Sequence, residues 1–123
     1  MHDKNVSPVG WYICSYLLRF INSHDLENND PEARFLSWEN TVLIAANSIQ
    51  QAYTKTVAIA ELATVPYKGG ESMVDVQWIF EGITEILPVY EELKDGAELM
   101  WLERKPIKLK NLRTLVLSNW ENS

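Results

Sequence analysis

One segment limits the fold more than any other. Residues 11–21 read WYICSYLLRFI. The even positions, Tyr12, Cys14, Tyr16, Leu18 and Phe20, are all apolar or aromatic, and the odd positions Trp11, Ile13 and Leu17 are too, joined by Ser15 and Arg19. A strand turns successive side chains to opposite faces. One that is apolar on both faces belongs inside a sheet, covered on both sides. The uncharged stretch 6–18 that contains its start is no membrane span. It is thirteen residues long and broken by Pro8 and Gly10, whereas a bilayer needs about 20 apolar residues. It ends in Arg19-Phe20-Ile21 with no small-residue cleavage site, so no secretory leader is expected. The chain reads as cytoplasmic, with its single cysteine, Cys14, a reduced core thiol.

The remaining elements follow from periodicity. Residues 22–37 are polar and predict a long loop, of the kind that is functional or loose. Trp38 to Ala46 predicts a second strand, carrying Val42-Leu43-Ile44. Ser48 with Gln51 three residues on is a capping box, the glutamine reaching back to the cap. It opens a helix over Ile49 to Ala63, with Ile49, Ala52, Tyr53, Thr56, Ala60 and Ala63 on one face. Pro66 stops that helix, and Lys68-Gly69-Gly70 predicts a turn. Val74, Val76, Trp78 and Phe80 then alternate with Asp75, Gln77 and Glu81, a strand with one wet face. Gly82 predicts a bulge or bend before Ile83 to Leu87 resume. Pro88 to Asp95 reads as a loop, Gly96 as the opening of a strand over Ala97 to Arg104, and Leu112, Leu115 and Leu117 as an edge strand or a short helix.

The order β-β-α-β-β predicts an α+β fold: a mainly antiparallel sheet of four to five strands with one main helix packed on a face. At this length the chain is a single domain, 1–123, with its core over 10–104 and a basic C-terminal extension over 105–123. One helix covers only part of such a sheet. Trp11, Ile13 and Leu17 on the other face need a cover, so a homodimer or a hetero-complex is expected.

Charge is divided along the chain. Residues 1–103 hold six Lys and Arg against sixteen Asp and Glu, net −10, whereas Arg104, Lys105, Lys108, Lys110 and Arg113 put +5 into ten residues. The expectation is that this stretch folds over the acidic body and is neutralised there; the alternative is a steering patch for an acidic partner. An acidic body repels phosphate, which argues against nucleic acid.

Four pieces carry a resemblance. Trp11-Tyr12 opens a strand running into Leu18-Arg19-Phe20. Glu39 precedes Val42-Leu43-Ile44-Ala45-Ala46, with Ser48 to Ala52 starting the helix. Trp78-Ile79-Phe80-Glu81-Gly82-Ile83 is an aromatic-to-glycine strand, and Asp95-Gly96-Ala97-Glu98-Leu99 an acidic-glycine turn. In this order and spacing the chain resembles the bacterial domain-of-unknown-function family 4288, from Gly10 to about Arg104. The resemblance implies a small intracellular bacterial module and transfers no catalytic residue.

The chemistry-bearing side chains form no catalytic constellation in the sequence. His2 and His24 are the only histidines, too few to converge as metal ligands, and no metal or other cofactor is assigned. His24, beside Asp25 and Glu27, is the one histidine candidate for acid–base work or a loose metal contact, and the setting is more typical of a solvated loop. Glu91, Glu92, Asp95 and Glu98 supply paired carboxylates, but glycosidic chemistry needs two of them flanking a cleft, and clustered acids on a turn are ordinarily solvated. Lys68-Gly69-Gly70 lacks the spacing of a phosphate loop. The surplus is aromatic: Trp11, Trp38, Trp78, Trp101 and Trp120. Trp78 is in register with a core face, whereas Trp38 and Trp101 are candidates for an interface, where tryptophan concentrates binding energy.

The sequence therefore reads as a non-catalytic protein-interaction module that masks a basic partner in the manner of an immunity protein or antitoxin. Its partner-binding candidates are Trp38, Glu39, Glu91, Glu92, Asp95, Glu98 and Trp101. One alternative is a small-ligand-binding protein or enzyme with a pocket between helix and sheet, lined by Tyr53, Trp78 and Phe80. Another is a structural homo-oligomer.

Overall fold

A computed structural model describes residues 4–65, 67–69 and 74–117. His2, Pro66, Gly70 and Trp120, each of which carries a sequence expectation, lie outside the described residues. The doubly apolar segment forms β1 (Trp11–Asn22) and is central, as its pattern requires. It pairs antiparallel with β2 (Ser37–Ala45) on one side and β4 (Val74–Pro88) on the other. A three-residue strand, β3 (Tyr67–Gly69), adds to the outer edge of β4, giving the order β2-β1-β4-β3. With helix α1 (Ile49–Leu62) the chain is α+β, an antiparallel sheet and one main helix.

The glycine interruption in β4 is a pair of bulges. Ser15 faces Glu85 but Tyr16 faces Ile83, and Leu17 faces Gly82 but Leu18 faces Phe80. Thr84 and Glu81 are thus the extra residues on either side of Gly82. Two close bulges increase local twist, and a glycine between them removes the Cβ that would resist it.

Ser48 caps α1 by accepting the Gln51 N–H at 3.1 Å, while Gln51 Oε1 accepts from Asn47 N rather than from the cap itself. Ala52, Thr56 and Ala60 are fully buried on the even face of β1. One cluster there joins Tyr12, Cys14, Ile44, Ala46 and Ala52, and a second joins Tyr16, Leu18 and Ala60. The small residues recur every four positions, so the helix lies close to the sheet along one line. Tyr53 corrects the expected face: it is 45% exposed. It stands about 100° around the helix from Ala52, off the line of closest approach.

On the opposite face Ile13, Ser15 and Ile21 are buried within the chain, so Ile13 needs no outside cover, whereas Trp11 and Leu17 are partly buried. Residues 23–36 fold over Arg19, and the segment after Pro88 packs Leu99, Met100 and Trp101 around Leu87, Pro88 and Tyr90. Ser7 ties down the start of the chain. Its Oγ accepts from Val9 N and Trp11 N and donates to the Val89 carbonyl.

The C-terminal expectations need correction. Ala97–Arg104 is not a strand. Leu99-Met100-Trp101-Leu102 are consecutive rather than alternating apolar residues, so a strand here would have no single face to bury. Lys68 and Gly69, expected in a turn, lie in β3. The leucines near the end lie in or beside a short helix, α2 (Leu109–Arg113), that buries none of its residues. Residues 104–113 are exposed throughout. Among the described residues the ion pairs are Arg19–Glu81 and His24–Asp75, so the basic stretch makes none with the acidic body. A five-residue helix is too short to offer a buried stripe.

Candidate functional site

The most distinctive surface is the outer edge of β2. Ladder parity decides which of its main-chain groups are used. Phe20 N donates to Leu36 O at 2.9 Å and Ala46 N to Gly10 O at 3.0 Å. Hydrogen-bonded pairs alternate along an antiparallel ladder, so Trp38, Asn40, Val42 and Ile44 direct their N–H and C=O groups at β1. Ser37, Glu39, Thr41, Leu43 and Ala45 direct theirs outward. Among the described residues no strand pairs there. The Ala45 carbonyl is taken by Lys55 Nζ at 2.6 Å, which closes one end of the edge and leaves the middle open. Glu39 is the one charged residue in the strand.

Trp38 stands on this edge, 53% exposed. Its ring lies 4.6 Å from that of Trp78, which in turn meets Phe20 edge-on at 5.1 Å. Trp78 and Phe80 both pack against the Leu18–Ala60 cluster. An aromatic stack of this kind holds Trp38 in place at little further entropy cost, the arrangement found at binding anchors.

The expected site residues fall into separate groups. Trp38 and Glu39 are together on β2, with Glu39 opposite Leu17 on the face away from α1. Glu91, Glu92, Asp95 and Glu98 are exposed on the segment after β4, and Trp101, 68% exposed, lies 6.5 Å from the ring of Tyr90. Trp38 pairs with Leu18 whereas Pro88 pairs with Tyr12. The two groups therefore lie near opposite ends of β1, about 20 Å apart at about 3.3 Å per residue. A small cavity of about 80 Å³ lies between Leu87, Pro88, Tyr90, Leu99, Met100 and Trp101, and a polar one of about 300 Å³ is lined by Arg19, Asn28, Asp30, Phe35 and Glu81 among others. Neither is lined by Tyr53, Trp78 or Phe80.

Sequence reasoning missed the role of Arg19. Its side chain is 18% exposed. Nε donates to Glu81 Oε1 at 2.8 Å, a second guanidinium nitrogen donates to the Asn28 carbonyl at 2.5 Å, and the group lies 4.5 Å from the centre of the Phe35 ring. The loop over 23–36 is therefore fastened rather than loose, helped by Asn28 Nδ2 donating to Asn22 O and by turns that Asp25 and Asp30 close on the Glu27 and Glu32 N–H groups. The available signal was one arginine in an apolar strand. Cys14 is fully buried; burial pushes its thiol pKa up, partly opposed by a hydrogen bond from Thr56. Such a thiol is a poor nucleophile. Among the described residues no three His, Cys, Asp or Glu side chains converge as metal ligands, and no helix is long and apolar enough to cross a membrane.

A family model described as a domain of unknown function (DUF4288) matches residues 11–101, which span all three long strands, α1 and the Tyr90–Trp101 contact. No curated protein and no solved structure matches the chain significantly.

Proposed function

The chain belongs to the domain of unknown function family DUF4288, and from that premise we propose that it is a non-catalytic protein-interaction module of a bacterial cytoplasm that binds through the β2 edge. One observation carries the reading: a nine-residue edge with outward main-chain groups, from which a half-exposed, pre-stacked Trp38 projects. Strand addition at such an edge takes affinity from main-chain hydrogen bonds and specificity from the side chains beside them. The net charge of −10 over residues 1–103 favours a basic partner and speeds its capture at low salt. The carboxylates Glu91, Glu92, Asp95 and Glu98, remote from the edge, contribute through that field.

Capture from the host on immobilised chain tests this, with Trp38→Ala and Tyr53→Ala baits in parallel. The reading expects a partner that Trp38→Ala loses and Tyr53→Ala keeps. Equal capture by both variants, or none by the unaltered chain, counts against it.

A further inference from the structure

We propose that the occupant of the β2 edge is the β2 edge of a second copy of this chain, antiparallel, with Thr41 on the two-fold axis. The proposal rests on the edge being an interaction surface: a second copy occupies it while the basic partner is absent, and the two compete for the same main-chain groups. The outward-facing residues are Ser37, Glu39, Thr41, Leu43 and Ala45, by the ladder parity above. Two copies related through Thr41 set Thr41 against Thr41, Glu39 against Leu43 and Ser37 against Ala45, so the whole strand overlaps. The residues that face outward in one copy then meet residues that face outward in the other, as an antiparallel ladder requires. The inner pairs supply about six main-chain hydrogen bonds.

Charge selects the register. Glu39 is the edge's one carboxylate, and with Thr41 on the axis it lies opposite an apolar side chain. Moving the axis to Glu39 would set two carboxylates directly opposite, which is destabilising. Among the described residues the other side of the sheet offers no comparable edge. Bulges at Glu81 and Thr84 break β4, and β3 occupies its start. Bulged edges resist pairing, whereas regular ones invite it.

Area sets the strength. Nine residues make an edge about 30 Å long, and one sheet layer about 10 Å deep gives roughly 300 Å² per copy. The exposed half of Trp38 adds about 100 Å². The total, about 800 Å², lies below the roughly 1,000 Å² of stable interfaces. The dimer is therefore reversible and of micromolar class. Each copy carries −6, so added salt strengthens this contact by screening repulsion.

Sedimentation of the full chain from about 5 to about 200 µM, a range that brackets micromolar affinity, tests the register by charge exchange. The unaltered chain should move from 14.2 kDa toward twice that mass with rising concentration. Thr41→Lys and Thr41→Glu, each setting like charges on the axis, should dimerise at least tenfold more weakly, and their equimolar mixture should dimerise again. Circular dichroism checks that both fold; if either does not, Leu43→Pro, which removes an outward N–H, takes its place and should stay monomeric. A monomeric unaltered chain throughout, or variants that dimerise as it does, overturns the proposal. A synthetic peptide of residues 37–45 with flanking lysines separates the two levels. If the chain stays monomeric but the peptide slows exchange of the Glu39 and Leu43 amides, self-pairing fails and the edge reading stands. If the peptide has no effect either, both fail.

Discussion

Replacing Arg19 by methionine keeps most of the aliphatic stem and deletes the guanidinium that fastens the long loop. The structure sets the size of the effect. The donation to the Asn28 carbonyl is part-buried and charge-assisted, in the class of about 1.5–3 kcal/mol. The Glu81 pair counts for less, about 0.5 kcal/mol, because that carboxylate is 37% exposed and solvent screens it. The contact with Phe35 adds about 0.5 kcal/mol at such a site. These terms share one group and do not simply add, so the expected loss is about 2–3 kcal/mol. Urea unfolding followed by tryptophan fluorescence measures it. With a slope of about 2 kcal/mol/M, the midpoint should fall by about 1–1.5 M. Exchange of the Asp30 and Ala33 amides, which donate to Glu27 O and Asp30 O inside the loop, should accelerate more than that of β1. A midpoint shift under about 0.3 M, or equal acceleration in loop and strand, would refute the claim that Arg19 holds this loop as a unit.

Two further outcomes follow from the core. Ala60→Leu forces methylenes between α1 and Leu18, where Ala60 has no exposure, and should cost about 1–3 kcal/mol. Ala58→Leu on the exposed side should stay within about 0.5 kcal/mol in the same urea titration. Burial raises the Cys14 pKa in the folded state, so above the ordinary thiol range the native state holds a proton that the unfolded state has lost. Stability contributed by Cys14 is then complete at neutral pH and declines as pH rises through the unfolded thiol pKa toward the folded one. The difference in melting temperature between the unaltered chain and Cys14→Ala should shrink or change sign with alkalinity; a pH-independent difference would contradict the buried thiol.

What could be read from the residues depended on range. The central place of β1 was legible because both of its alternating sets are apolar. The helix start was legible because Ser48 and Gln51 are three residues apart, and the bulged strand because Gly82 breaks an alternation. Each of these signals lies within a few residues of its effect. Arg19 was not legible as an anchor, since its carboxylate partner is 62 residues away and its other acceptor is a main-chain carbonyl. The edge position of β2 was hidden too. Val42-Leu43-Ile44 reads alike in an edge or an inner strand, and neighbours are chosen by the whole topology. Tyr53 shared a helical stripe with alanines, but only a small side chain fits where α1 meets the sheet. The acids after β4 and Trp38 looked like one surface because the chain does not show that they leave the sheet at opposite ends.

Binding in this protein turns on the open edge of β2, and residue-resolved amide exchange addresses it most directly. In dilute solution the Asn40, Val42 and Ile44 amides, which donate to β1, should be protected, while those of Glu39, Thr41 and Leu43 exchange near the rate of an unstructured chain. At high concentration, or with a partner bound, the second set should become protected as well. If all six are protected in the dilute chain, the edge is already covered; if Glu39, Thr41 and Leu43 exchange freely in every complex the chain forms, binding occurs elsewhere. Either result would contradict the account.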